Sequence, residues 1–338
     1  MLFRSNYELP KKWITYGHTP ILGDFTATLT LIKSTDESYA MLMDYTYASG
    51  QEYKARGIAV VYGGSELRAS FTVNGVKYRQ ILHINPKTNS FEGRMFEALH
   101  PENGSTLVGK AKDSKETTLL AVYPKAVKAG EKATLSIVGT NLSGNVKLPS
   151  TLKVLSTIKH TDNEIVLDVI ADKNVKTFDG SIQIGAKTFK NSLAVYDKVD
   201  YIKVTPDYAI SRIGGDEGKD KILKEYATFE AIGYLNGKDG KKGTADDIEL
   251  GVIPATWHLE AYDERAVEDK DLDYVGQIDV NTGKFTPNIS GPNEKRKLMT
   301  NNAGNISVVA TYKDGNVELS EKSHMIVTVP KFVNPPIN

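Results

Sequence analysis

The residues best suited to chemistry lie in one glycine-rich acidic loop, Asn236–Gly251, with the sequence NGKDGKKGTADDIELG. Loops of this composition often bind Ca²⁺. An EF-hand loop needs oxygen ligands at alternate positions of its first half and a carboxylate at its end. In the registers that begin at Asn236 and Asp239, Lys238 and Lys241 take a ligand position. The loop is therefore not an EF-hand.

Two interpretations of this loop remain. Asp246, Asp247 and Glu249 form a small acidic cluster, which leaves a calcium site of another type open. The Asn-Gly and Asp-Gly pairs within NGKDG accept positive φ and are typical of turns. The composition favours a glycine-punctuated connection between two strands over a metal site.

The chain offers no local motif for catalysis. No two of its six histidines have the two- or four-residue spacing of local metal motifs. There is no Gly-x-Ser-x-Gly elbow and no Walker-type loop, and the glycine pair in Tyr62–Arg68 lacks the following helix that binds phosphate. A stand-alone hydrolase therefore has no triad motif to support it. The histidines are His18, His83, His100, His160, His258 and His324.

A second acidic stretch, Tyr262–Tyr274 (YDERAVEDKDLDY), is diluted by Arg265 and Lys270. We expect a solvated loop, with a partner-facing acidic patch as the alternative. Its acidic residues are Asp263, Glu264, Glu268, Asp269, Asp271 and Asp273.

Composition excludes several classes of function. Lys plus Arg and Asp plus Glu are each 42, so the formal net charge is zero. Nucleic acid or an anionic membrane as the main partner would demand a basic surface. Cysteine is absent, which removes disulfides, thiolate metal sites, a cysteine nucleophile and the Cys-x-x-Cys-His attachment of haem c.

The elements that must position these residues are strands. Asp24–Ser34 alternates Phe25, Ala27, Leu29 and Leu31 with threonines, which is the period of a half-buried strand. The Asn-Gly pair within Glu66–Asn85 (VNGV) predicts a two-residue hairpin turn. Closely spaced strands without a credible helix between them indicate an antiparallel barrel or sandwich.

The predicted architecture is all-β: an antiparallel β-barrel over residues 6–118, followed by immunoglobulin-like sandwiches over 119–197 and 198–338. In the third part, Asp220–Tyr226 (DKILKEY) is the one candidate for a short helix. Residues 1–5, MLFRS, can be reverse-translated into the end of a common sequencing adapter. We expect them to be an artefact and the true protein to extend further upstream.

Several segments resemble a known family. IKVTPDYAISRIGG, FEAIGYLNGKDGKKGTADDIELGVIPATWHLE and GKFTPNISGPNEKRKLMTNNAGNISVVATY look like the C-terminal domain of the quinohemoprotein amine dehydrogenase α subunit. VYPKAVKAGE and SIVGTNLSG resemble the preceding immunoglobulin-like domain, and GGSELRASFTVNG and FEGRMFEA resemble the β-barrel domain before it. The resemblance covers nearly the whole chain after residue 5.

The resemblance implies a role in a periplasmic complex that oxidatively deaminates primary amines. In the family, the α subunit begins with a cytochrome domain that carries two c-type haems, followed by three β domains. It assembles with a β-propeller subunit and a small subunit that holds cysteine tryptophylquinone. Electrons pass from the quinone through the haems to a small redox carrier.

This sequence departs from the family because the cytochrome domain and its haem motifs are missing. We expect a truncated α subunit, with a haemless paralogue as the alternative. No catalytic, cofactor-binding or metal-binding residue of the family maps onto the chain, so the resemblance implies a scaffold. Candidate interface aromatics are Tyr201, Tyr208, Trp257 and Tyr274, and ordinary packing is the alternative for each. A function of another class, a tandem immunoglobulin-like module of a cell-surface or adhesin protein, also fits KAGEKATLSIVGTNLSG.

Overall fold

The computed structural model describes residues 7–35, 37–175, 180–215 and 222–330. The suspected artefact at residues 1–5 lies outside them. Strands make up 58% of the described residues and helices 4%, so the predicted all-β class is confirmed. In this part of the chain no helix has the length and apolar character needed to cross a membrane. The chain divides into one compact unit that ends at Lys198 and another that begins at Val199.

The first domain is a closed antiparallel barrel, as predicted, in which each strand pairs with the next and β8 pairs with β1. Its strands are β1 (Lys12–Thr19), β2 (Gly23–Lys33), β3 (Ser38–Tyr47), β4 (Glu52–Tyr62), β5 (Glu66–Val73), β6 (Val76–Asn85), β7 (Ser90–Glu97) and β8 (Gly104–Ala111).

The alternation of apolar and polar residues in the sequence determines which side chains face the barrel interior. The four apolar residues predicted to share one face of β2 are all buried, with at most 6% of their surface exposed. At the hairpin, Val73 pairs with Val76, and Asn74 and Gly75 have φ of 49° and 83°. Both predictions are confirmed, because a two-residue turn with two positive φ values matches the twist of the flanking strands.

Two glycines in the barrel wall make room for buried rings. A Cβ at Gly109 would lie 2.3 Å from Cε1 of Phe91, and one at Gly17 would lie 2.1 Å from Cζ of Phe25. Phe91 also packs on Trp13, with ring centroids 5.4 Å apart. The two rings fit into the barrel because the residue paired with each of them on the neighbouring strand is a glycine.

Gly109→Ala is expected to destabilise the barrel by about 1–3 kcal/mol, because the added methyl group overpacks the core against Phe91. Denaturant unfolding followed by the fluorescence of the buried Trp13, in a Trp257→Phe background, measures the change. Glu92→Ala, at an exposed position beside Phe91, is the control and should stay within about 0.5 kcal/mol of wild type. Equal stability of Gly109→Ala and wild type would contradict this packing.

The second domain has a four-stranded sheet in the order β13-β14-β11-β9, a three-stranded sheet β12-β15-β16 and the parallel pair β10-β17. Its strands are β9 (Thr118–Tyr123), β10 (Ala126–Lys128), β11 (Lys132–Thr140), β12 (Val146–Lys147), β13 (Leu152–His160), β14 (Glu164–Ala171), β15 (Ile182–Ile184), β16 (Lys187–Phe189) and β17 (Ala194–Tyr196).

From Leu135 onward, strand β11 is buried on both faces. Leu135 and Ile137 belong to the core of the second domain. Val138, on the opposite face, packs with Tyr123 and with Ile14 of barrel strand β1. One strand therefore contributes to the core of its own domain and to the junction with the barrel.

An exposed carboxylate reinforces this junction. Glu116 accepts hydrogen bonds from Lys187 at 3.1 Å and from Lys110 at 3.2 Å. These two lysines, Lys187 first, lower the pKa of Glu116. Lys110 extends from the last barrel strand and Lys187 from β16, so Glu116 links the two domains.

The third domain contains three sheets in the orders β18-β21-β22, β19-β27-β26-β23 and β20-β25-β24. Phe229, Trp257 and Phe285 are among its buried residues. Its elements are β18 (Tyr201–Thr205), β19 (Tyr208–Arg212), β20 (Ala227–Thr228), β21 (Glu230–Leu235), β22 (Ile248–Ile253), β23 (Thr256–Ala261), α1 (Glu264–Glu268), α2 (Asp271–Tyr274), β24 (Gly276–Ile278), β25 (Lys284–Pro287), a 3₁₀ turn (Lys297–Met299), β26 (Gly304–Asp314) and β27 (Val317–Thr328).

Two of the predicted interface aromatics belong to the interior instead. Tyr201 and Trp257 are each only 5% exposed, whereas Tyr208 is 44% exposed. Residues 222–226 of the candidate helix contain no helix, and residues 220 and 221 lie outside the described residues. The immunoglobulin-like assignment and the domain limits at 118 and 197 stay predictions.

Candidate functional site

Within Asn236–Gly251, residues 236–247 form a compact turn that connects β21 to β22, and residues 248–251 already belong to β22. Gly240 and Gly243 have φ of 67° and 83°, as the turn interpretation requires. A Cβ at Gly237 would lie 2.3 Å from Cγ of Asp246. The loop therefore needs glycine both for its backbone angles and for the close approach of a carboxylate.

The carboxylate of Asp247 lies at the centre of this turn. Its Oδ2 accepts hydrogen bonds from the Tyr201 hydroxyl at 2.5 Å and from the backbone N–H groups of Gly243 at 2.7 Å and Thr244 at 3.0 Å. Its Oδ1 accepts one from the N–H of Gly237 at 3.3 Å, and the Thr244 hydroxyl lies 3.1 Å from the same oxygen. Five donor groups from three segments thus converge on one carboxylate.

These donors set the protonation of both partners. The hydrogen bond from Tyr201, with those from the backbone, lowers the pKa of Asp247 to about 2. Burial, followed by the bond to Asp247, raises the pKa of Tyr201 to about 12. The pair therefore stays as carboxylate and neutral phenol across the physiological range.

The other two carboxylates of the predicted cluster also have donors within the chain, and Asp246 shares the Thr244 hydroxyl with Asp247. Asp246 accepts hydrogen bonds from the Thr244 hydroxyl at 2.9 Å and from the N–H of Asp239 at 3.3 Å. Glu249 accepts one from Tyr234 at 3.4 Å. A cation would have to displace these donors, and no three His, Asp or Glu residues in the described ranges form a metal-binding group. The contacts favour the turn interpretation over the calcium site.

Aromatic rings fix this loop to its sheet. Tyr201 and Tyr234 stack with centroids 5.0 Å apart and ring planes 8° apart. Lys203 Nζ lies 4.9 Å from the centroid of Tyr234, and Lys242 Nζ lies 5.2 Å from that of Tyr201. Tyr201 is therefore a structural residue that joins the sheet to the Asp247 turn.

The second acidic stretch differs from the predicted solvated loop, because it forms α1 and α2. The side chain of Asp263 caps α1 by accepting a hydrogen bond from the N–H of Ala266 at 2.8 Å. Asp271 is only 5% exposed, and its Oδ1 accepts a hydrogen bond from Arg296 Nη2 at 2.6 Å. One of the six predicted surface acids is therefore half of a buried ion pair.

Further hydrogen bonds satisfy both members of the Asp271–Arg296 pair. Both side chains are 7% exposed. Asp271 Oδ2 accepts from the N–H of Asn305 at 2.8 Å, and Arg296 Nη1 donates to the carbonyls of Asn301 and Ala303. The sequence gives no local signal for this pair, since its members are 25 residues apart.

A cleft of about 560 Å³ borders this ion pair. Its lining includes Asp263, Asp269, Asp271 and Arg296. Asp263 caps α1, and the pair of Asp271 and Arg296 joins α2 to the loop before β26. These contacts hold α1, α2 and the following loop together.

The histidines do not form a common site. His18 bonds to Asp24 at 2.9 Å, His100 to Glu102 at 3.0 Å and His258 to Glu260 at 3.3 Å. Each of these contacts is between neighbours in sequence or on adjacent strands.

Family models match the chain in three consecutive stretches. Residues 6–112, 116–197 and 202–337 match domains II, III and IV, respectively, of the quinohemoprotein amine dehydrogenase α subunit. The barrel, the following sheets and the third domain thus define a multidomain β-rich subunit of a larger enzyme. The chain belongs to the family of quinohemoprotein amine dehydrogenase α subunits. The resemblance in the sequence is confirmed, and family membership implies a multi-subunit complex.

Other comparisons are weaker. No curated protein matches significantly. A redesigned β-barrel, mFAP1, bound to DFHBI is 18% identical over 30% of this chain and 91% of its own, with a TM-score of 0.25. Domains 4–9 of the surface layer protein SbsC are 14% identical over 89% of this chain and 47% of their own, with a TM-score of 0.22. TM-scores this low carry no argument about fold or function.

The residues present do not fit the cofactors that the resemblance in the sequence implies. Haem c is attached through cysteine thiols, and cysteine tryptophylquinone needs a cysteine joined to a tryptophan. These 338 residues contain no cysteine, and both tryptophans, Trp13 and Trp257, are buried. No step of the reaction is assigned to this chain.

Asp247→Asn is expected to lower the unfolding midpoint of the third domain at neutral pH, because the amide is a weaker acceptor for the donors of the turn. The folded pKa of Asp247, about 2, is below the usual value of about 3.9 for aspartate. The stabilisation is therefore present above about pH 4 and is lost as the pH falls towards about 2.

Thermal unfolding from about pH 7 to about pH 2, followed by Trp257 fluorescence in a Trp13→Phe background, checks this. The difference between wild type and Asp247→Asn should shrink as the pH falls. Asp207→Asn, at an exposed position of the same domain, is the control. A rise in the wild-type midpoint on addition of Ca²⁺ would contradict the turn interpretation.

Arg296→Met is expected to destabilise the third domain by about 3–5 kcal/mol, because it leaves Asp271 buried without a partner charge. The double variant Asp271→Asn/Arg296→Met should recover part of this loss. Urea unfolding followed by Trp257 fluorescence in the Trp13→Phe background measures both. Equal losses in the single and double variants would show that the two side chains are not coupled.

Proposed function

We propose that this chain is the non-catalytic scaffold portion of the α subunit of a periplasmic quinohemoprotein amine dehydrogenase. The complex would oxidatively deaminate primary amines. Electrons would pass from a cysteine tryptophylquinone on another subunit through haems on a cytochrome domain outside these residues. The observation that carries this proposal is the match to domains II, III and IV of one subunit, in that order along the chain.

The chemistry of the third domain supports a scaffold role. Asp247 and Asp271 accept their hydrogen bonds from donors within the chain. A catalytic acid or base must be within reach of a substrate proton, whereas these carboxylates hold connections in place. Their hydrogen bonds stabilise the fold of the domain.

The partners follow from the same assignment. A β-propeller subunit and a small quinone-bearing subunit would bind surfaces of this chain, and the amine would be selected by residues on those chains. The family match also favours this function over a cell-surface module, since all three described domains match a single enzyme subunit.

Purification from the native host through an affinity tag on this chain tests the proposal. We expect two further chains at a constant ratio and amine-dependent reduction of an artificial electron acceptor by the complex. The chain produced alone should show no such activity, because it lacks the cysteine that the cofactors require. Recovery of the tagged chain alone, or attached to the cell wall, would contradict the subunit assignment.

A further inference from the structure

Two large apolar side chains project from the third domain at one point. Leu298 is 88% exposed and Met299 is 55% exposed. The value for Leu298 is the highest of any large hydrophobic residue in the part of the chain that the structure describes. We call Leu298 and Met299 the apolar tip.

The backbone of the apolar tip is in an unfavourable conformation. Leu298 and Met299 have φ of 57° and 53°, in the left-handed region that glycine, asparagine and aspartate adopt more readily. Leucine and methionine at these positions therefore worsen the backbone energy and leave apolar surface in water. Neither property benefits the isolated chain, and strained residues of this kind cluster at functional sites.

The base of the loop holds the tip in this position. The N–H of Asn293 donates to the carbonyl of Thr300 at 3.0 Å, and the Asn293 side chain donates to Asn302 at 2.8 Å. Asn302 is 6% exposed and donates to the carbonyl of Ile289 at 3.0 Å. Arg296, two residues before Leu298, is fixed in the buried ion pair. The tip is thus presented by a preorganised loop, which reduces the entropy lost on binding.

We propose that the apolar tip inserts into an apolar socket on another protein chain of the same complex. This inference rests on the proposed function. The exposed Lys295 and Lys297 flank the tip, so the rim of the socket should carry carboxylates. A central apolar anchor surrounded by a polar rim is the usual anatomy of a protein–protein hot spot.

The charges near the tip favour a protein over a lipid surface. Glu294 precedes Lys295, and the segment that contacts Arg296 carries Glu268 at the end of α1, Asp269 after it and Asp273 in α2. An anionic membrane attracts clusters of basic residues and is repelled by carboxylates. A protein socket can place opposite charges against both signs.

Leu298→Asn separates binding from folding. Asparagine tolerates positive φ and removes the apolar group, so the free chain should keep or raise its unfolding midpoint. Insertion of the tip predicts that the Kd of the complex rises at least about tenfold. Leu99→Asn is the matched control, since Leu99 is a 71% exposed leucine of the barrel domain.

The measurement uses the full labelled chain, titrated with the partner chains recovered from the purified wild-type complex. A Kd that rises for Leu298→Asn but not for Leu99→Asn, with an unchanged midpoint of the free chain, supports the proposal. An unchanged Kd overturns it and leaves the proposed function intact. Failure of the wild-type chain to recover any partner overturns the proposed function as well. Binding to phosphatidylglycerol vesicles that Leu298→Asn abolishes would assign the tip to a membrane and overturn the socket.

Discussion

A carboxylate that is partly or fully buried needs nearby donors for its oxygens, and two long connections of the third domain are arranged around a half-buried Asp247 and a buried Asp271. Asp247 gathers donors from β18 and from both ends of its own loop. Asp271 joins α2 to Arg296 and to the start of β26. In the sequence, the two acidic stretches suggest metal binding or a solvated patch. In the structure, their carboxylates accept hydrogen bonds that fold two connections.

The sequence predicts well those structural features that depend on residues close together in the chain. The face of β2 and the turn after Val73 follow from alternation and from one dipeptide, so both are correct. The Asp271–Arg296 pair depends on contacts 25 residues apart, and no periodicity encodes it. Tyr201 illustrates the same limit, because in the sequence a tyrosine at the start of a strand is a candidate interface residue, and only the structure shows that its hydroxyl bonds with Asp247.

The conclusions about function also come partly from the sequence and partly from the structure. The family follows from ordered segments that are already visible in the sequence, and the absence of cysteine separates this chain from the cofactor chemistry of the complex. The position of the apolar tip follows only from the structure. In the sequence KRKLM, nothing indicates that the arginine is buried while the leucine two residues later is exposed.

Strand β11 supplies Leu135 and Ile137 to one core and Val138 to the junction with the barrel. Substitutions in this strand must therefore remain compatible with the packing of both the domain core and the junction. Neither the barrel nor the second domain can be exchanged for an unrelated module without exposing one face of β11. We expect these two domains to be inherited as a pair across the family, and natural recombination points to fall after β17 instead of between the two domains.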